Sequence, residues 1–196
     1  MVVDGNPLSD EELIEKFQNG DNYAFDQLVR RYKEPLLNFV YRFVGDIIEA
    51  EDIVQDTFLR VFKNKHYYKN VAKFSTWIYT IAGNLAKTEL RRRKRRKLFS
   101  IHRDTQDEKE WDLPDIETSP EKEVNTRVTE KIIQKAINNL PEKFREVVVL
   151  RDIEGFSYED ISEIIRVPLG TVKSRVNRAR LRLQEDLHFL IDDLES

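Results

Sequence analysis

The stretch 157–182, SYEDISEIIRVPLGTVKSRVNRARLR, decides the reading of this chain. In its first half Ile161, Ile164 and Ile165 recur at helical spacing, and Val167 and Pro168 stop the helix they define. Thr171 is placed to cap a second helix, in which Val172, Val176, Ala179 and Leu183 form one apolar stripe. Lys173, Arg175, Arg178, Arg180 and Arg182 occupy the remaining positions with no acid among them. A basic helix face is often only a solvated surface. Here a correctly spaced partner helix and a proline-bearing turn precede it, which is the pattern of a helix-turn-helix. Its second helix fits a major groove, with Lys173, Ser174, Arg175 and Arg178 offered to bases and phosphates. Gly170 and Thr171 lie at its N-terminus, where backbone N–H groups can meet a phosphate.

Working outward, the chain of 196 residues suffices for one or two domains. With only six glycines and six prolines an all-β fold is disfavoured. The net charge of −3 does not announce a nucleic-acid binder, so the signal is in the distribution of charge. The absence of cysteine removes disulfides, thiolate metal sites and cysteine nucleophiles. No apolar run approaches the roughly 20 residues that span a bilayer, and the polar, acidic N-terminus is unlike a secretory signal. These features predict a cytoplasmic protein without membrane insertion.

The expected fold is all-α, with two small helical domains joined by an acidic flexible linker. Ser9 and Glu12 form a capping box for a first helix that closes near Gly20. Asp21 caps a longer second helix that Pro35 should kink or split and Gly45 ends. Asp46 starts a third helix with Ala50, Ile53, Val54, Phe58, Val61 and Phe62 inward. A fourth carries Phe74, Trp77, Ile78, Ile81 and Leu85 inward, then enters the basic tract 91–97. These make a first domain over 9–97. Residues 98–126 carry nine acids against three cations, with Pro114 and Pro120 breaking helical periodicity, and read as the linker. Helical spacing resumes from about Arg127, giving a second domain over 127–196 that ends in the helix-turn-helix.

Two further constellations carry function. On the third helix Glu49, Asp52 and Asp56 share one face, with Glu51 and Gln55 at its edge. Carboxylates so clustered repel one another unless a partner supplies cations. A divalent-metal nuclease site is the competing reading, but His66, His102 and His188 lie scattered and no further acids converge. The second is the loop Tyr67, Tyr68, Lys69, Asn70, followed by Asn84, Lys87 and Arg91 along one side of the fourth helix. Aromatics interleaved with cations suit single-stranded DNA, since rings stack on unpaired bases while Lys and Arg hold phosphates.

Three strings, in order, resemble the sigma-70 family in its extracytoplasmic-function (ECF) group. EAEDIVQDTFLRVF (49–62) resembles its polymerase-binding helix, KFSTWIYTIAGNLAKTELRRR (73–93) its −10-element helix, and LPEKFREVVVLRDIEGFSYEDISEIIRVPLGTVKSRVNRAR (140–180) its −35-binding domain. The resemblance implies a non-enzymatic transcription-initiation factor with no catalytic residue, no cofactor and no metal. Its partners would be core RNA polymerase, reached through Glu49, Asp52, Gln55 and Asp56; promoter DNA; and a separate anti-sigma factor. It adds Arg151 as a −35 contact and assigns Tyr67, Tyr68, Lys69, Asn70, Asn84, Lys87 and Arg91 to melted −10 DNA. It routes the acidic linker through the polymerase RNA channel, where a plain flexible tether is the other reading. The 29 linker residues could reach roughly 100 Å at about 3.3 Å per residue, against about 70 Å for two turns of duplex. Two departures stand out. Lys69-Asn70 replaces a frequent Arg-Gly pair, where Asn tolerates a left-handed turn. Arg166 takes a place often given to glycine, at a cost on the order of 1 kcal/mol if left-handed. A conventional operator-binding regulator is the alternative function; it would need dimer symmetry and would bind duplex alone.

Overall fold

The computed structural model describes residues 2–3, 6–100 and 120–194. A two-residue antiparallel pairing, Val2–Val3 against Asn6–Pro7, precedes an otherwise helical chain. The first domain comprises α1 (Asp10–Gln18), α2 (Asn22–Val44), α3 (Ile47–Lys63) and α4 (Phe74–Ser100). The second comprises α5 (Pro120–Asn139), α6 (Glu142–Val148), a π-turn (Val149–Ile153), α7 (Tyr158–Ile165) and α8 (Leu169–Leu194).

The helix starts follow from their caps. Ser9 and Glu12 close the capping box on α1. Asp21 accepts from Tyr23 and Ala24 N–H, and Asp46 from Glu49 N–H, so α2 and α3 begin where each aspartate satisfies orphan donors. The N-terminus of α4 is capped from outside: the Glu11 carboxylate on α1 accepts from Phe74 N–H at 3.0 Å. Gly45 closes α2 in the left-handed region (φ 77°), as its position in the sequence suggests.

Pro35 does not split α2, which continues through it to Val44. Leu28, Tyr32, Leu36, Phe39, Val40 and Phe43 are buried on both sides of the proline. At about 1.5–3 kcal/mol per buried apolar side chain, that stripe outweighs the ~3 kcal/mol an interior proline costs. Phe62, expected inward, is 48% exposed; one side of its ring packs on Phe17 and Phe25. The expected linker is shortened at both ends, because α4 runs to Ser100 and α5 begins at Pro120. Proline lacks only an N–H that the first turn would leave unpaired, so it starts this helix where a break was expected. The rest of the acidic stretch, with Pro114 and Trp111, lies outside the described residues, as does His102.

The two domains pack directly on each other: α7 lies against α4, and α5 and the π-turn lie against α2. Arg145 on α6 donates to the Phe43 carbonyl at 2.8 Å and to the Asn138 and Leu140 carbonyls, tying the end of α2 to the end of α5. Gln134 on α5 exchanges side-chain and backbone hydrogen bonds with Arg42. Among the described residues no helix is long and apolar enough to cross a membrane.

Candidate polymerase and nucleic-acid interfaces

In the helix-turn-helix, Ser157 caps α7 through Asp160 N–H, and α7 ends at Arg166 in the left-handed region (φ 55°). Arg166 is the one non-glycine residue with positive φ among those described, so the turn accepts the strain expected of it. Asn70, by contrast, does not adopt left-handed geometry; the loop turns instead through a tight Val71 N–H to Lys69 carbonyl bond of 2.6 Å. Helix α8 begins at Leu169, directly after Pro168. Thr171 therefore sits inside the first turn, its N–H bonded to the Pro168 carbonyl at 2.8 Å, and is not the cap. Gly170 is exposed in that turn.

Val172, Val176 and Ala179 are buried, which turns Lys173, Ser174 and Arg178 to solvent along one face; Arg175 is half-buried at its edge. Arg151 projects from the π-turn, donates to the Phe156 carbonyl at 2.7 Å and lies over the Tyr158 ring, 4.7 Å from its centre. Lys173 approaches the same ring at 5.9 Å, so Tyr158 gathers Arg151 and Lys173 into one cationic group. Tyr158 was missed in the sequence, where it reads only as the first helical residue of α7. Arg180, two turns beyond Lys173 on the same side of α8, is engaged within the chain, paired with Asp152 (Nε to Oδ2, 2.9 Å).

The loop between α3 and α4 separates its two tyrosines. Tyr67 is 79% exposed, with Lys69, Asn70 and Val71 also open to solvent. Tyr68 is 5% exposed, packed against Phe74 and Trp77, and its hydroxyl donates to the Ala72 carbonyl at 2.8 Å. The expectation that both rings face a base is corrected for Tyr68, which is part of the core. Gln18 pins the loop from α1, donating to the Lys65 and Tyr68 carbonyls at 2.7 and 3.1 Å. Tyr67 is thus held on a fixed base with a free ring. On α4, Asn84 and Arg91 are exposed, while Lys87 is tied to Glu146 of α6 at 2.9 Å.

On α3, Asp52, Gln55 and Asp56 are exposed, but Glu49 is not free as expected. Arg93, in the basic tract of α4, donates to Glu49 at 2.6 Å and to the Val44 carbonyl at 2.9 Å, because α4 runs past the start of α3. A cavity of about 550 Å³ opens beside Gln55, floored by Val29, Leu37, Val54 and Phe58. Acids on an exposed face beside an apolar groove suit a partner presenting both cations and apolar side chains. Among the described residues no three His, Cys, Asp or Glu converge as metal ligands.

The family profiles for sigma-70 region 2 and sigma-70 region 4 match residues 28–96 and 130–183. The RNA polymerase sigma-H factor of Pseudomonas aeruginosa is 38% identical over 185 residues, covering 93% of this chain and 95% of that protein. The ECF RNA polymerase sigma-E factor of Haemophilus influenzae is 36% identical, covering 94% and 98%. The fold is similar to that of the sigma factor RpoE of Bartonella quintana, solved in complex with the anti-sigma factor NepR. The TM-score is 0.69 at 30% identity, over 84% of this chain and 96% of that one. With both regions present in order and relatives matched end to end, the chain belongs to the ECF group of the sigma-70 family. It is a sigma factor, the subunit that directs RNA polymerase to promoters.

Proposed function

We propose that this chain binds core RNA polymerase through the exposed Asp52, Gln55 and Asp56 of α3. It then reads −35 duplex with α8 and holds melted −10 DNA with the α3–α4 loop and α4. The observation that carries this assignment is the α8 face, where Lys173, Ser174 and Arg178 are exposed while Val172, Val176 and Ala179 anchor the helix. Such a helix can enter a major groove with its cations leading. Arg151, Gly170, Thr171 and Arg175 support that contact from the rim; Tyr67, Lys69, Asn70, Asn84, Lys87 and Arg91 serve the −10 strand. Glu49 acts by anchoring Arg93, and Tyr68 by holding the loop.

The chain works by binding, in the cytoplasm where polymerase acts, and the reaction is the polymerase's own. An anti-sigma factor is a further partner: the similar Bartonella quintana sigma factor was solved with one. The test is run-off transcription. Purified chain added to core polymerase should give discrete, start-site-specific transcripts from a fragment library of the source genome, and core polymerase alone should not. Absence of such transcripts, with intact core binding, would refute the promoter-reading assignment.

A further inference from the structure

The seam between the domains is lined by acids of the second domain facing donors of the first. The Glu146 carboxylate on α6 pairs with Lys87 Nζ at 2.9 Å, their side chains 6% and 18% exposed. Glu154, after the π-turn, accepts from the Tyr79 hydroxyl at 2.7 Å and from Asn38 Nδ2 at 2.8 Å. Asp160 on α7 accepts from Lys73 Nζ at 3.0 Å. At 3.6 residues per turn, Lys73 and Lys87 lie within about 60° of the Asn84–Arg91 line on α4. The covered stripe is therefore the flank of the face assigned to −10 DNA.

Two features show that this contact is built. Gly83 sits inside α4, where glycine costs about 1 kcal/mol relative to alanine. A Cβ there would stand 3.3 Å from Glu146 Oε1, so the glycine admits the carboxylate to Lys87. Glu146 is also buried on a helix whose other inward residues, Phe144, Val147 and Val148, are apolar. Apolar residues of similar volume in place of the whole Glu146–Lys87 pair would make a firmer seam. A carboxylate regains its hydration when the seam opens, which suits a contact that must come apart.

We propose that the second domain is an internal inhibitor of the first, its Glu146 and Asp160 occupying donors beside the −10 face, with Glu154 holding the seam through Tyr79 and Asn38, until promoter engagement releases them. The geometry of the function requires such release. Two promoter elements two turns apart lie about 70 Å from each other, whereas α4 and α7 touch in the closed chain. The proposal rests on the assignment of α4 to −10 DNA, and its test separates the two.

The chain lacks cysteine, so a Lys73→Cys, Asp160→Cys variant of the full chain carries thiols only across the seam. One sample is cross-linked with a short bismaleimide and another capped with N-ethylmaleimide. Both are titrated with a fluorescent random-sequence single strand of about 15 nucleotides, the site size of single-strand grooves. The locked chain should bind at least tenfold more weakly than the capped chain. A Glu146→Ala, Glu154→Ala variant, in which Lys87, Tyr79 and Asn38 lose their acceptors and the clasp is loosened, should bind severalfold more tightly than the parent. Equal binding by locked and capped chains, or failure of the bismaleimide to form an intramolecular bridge, overturns the proposal. Failure of every form, capped or clasp-loosened, to hold the strand overturns the assignment of α4, and the proposal with it.

Discussion

Replacing Tyr67 and Tyr68 separately by alanine should produce opposite phenotypes, although the two residues are adjacent. Tyr68 is buried between Phe74 and Trp77, with ring centroids 5.8 and 5.3 Å away. Truncating a buried aromatic costs about 3–5 kcal/mol, and loss of the hydroxyl bond to the Ala72 carbonyl adds on the order of 1 kcal/mol. That is a large part of the roughly 5–15 kcal/mol that holds a typical domain together. Tyr68→Phe removes the hydroxyl alone and should cost about 1 kcal/mol. Tyr67→Ala, at a 79% exposed position, should change stability by no more than about 0.5 kcal/mol. It should nevertheless weaken promoter opening by roughly 5- to 150-fold if its ring stacks on one unpaired base, worth about 1–3 kcal/mol. Urea denaturation of the three variants reads the first effect. Permanganate reactivity of melted thymines in the polymerase–promoter complex reads the second. Unchanged thymine reactivity in Tyr67→Ala, or full stability in Tyr68→Ala, would refute this division of labour.

Charge reversal of both Asp52 and Asp56 to Lys should abolish binding to core polymerase while circular dichroism stays native, since both are exposed beside buried Ile53 and Val54; undiminished binding would remove α3 from the interface. Lys173→Ala or Arg178→Ala should cost about 1–3 kcal/mol on the cognate −35 duplex and much less on a scrambled one if either reads a base edge. Equal weakening on both, with the salt slope reduced by about one, would mean phosphate contacts only. Closure of the two domains should strengthen as pH falls from neutrality toward the ordinary carboxylate value of 4.5. Burial pushes the Glu146 carboxyl up against the opposing pull of Lys87, with Glu142 and Arg175 also facing it, and burial likewise raises Glu154 beside Tyr79 and Asn38. A raised carboxyl favours closure fully below its ordinary value and loses that contribution as pH rises through the raised one. Asp160, despite burial, is held low by hydrogen bonds from Ser157 and Lys73 and stays ionised over this range. Small-angle scattering at the two pH values checks this, and expansion on acidification would contradict it.

The helices were legible because their signals are local. Asp21 and Asp46 cap where the sequence places them, and the apolar stripes of α2, α3 and α8 lie at helical spacing. The exposed cationic face of α8 was legible for the same reason, its cations being what the buried stripe leaves outside. The α3–α4 loop was not, since neighbouring tyrosines in a segment without periodicity carry no sign of which one Phe74 and Trp77 enclose. Glu49 was misplaced because its partner Arg93 comes from a distant basic tract that reads as solvated. The domain seam was least legible of all. It is made by Glu146, Glu154, Asp160, Lys87 and Arg145, residue types that periodicity assigns to water and that only tertiary pairing brings inside.

On polymerase, one chain is proposed to hold a −35 duplex and a melted −10 strand together. Footprinting by nuclease and permanganate on a promoter recovered from the run-off products tests it most directly. With core polymerase present, two segments about two helical turns apart should be protected, the downstream one alone containing reactive thymines. Protection of a single symmetric duplex site by the chain without polymerase, and no reactive thymines, would contradict it and identify an operator-binding regulator instead.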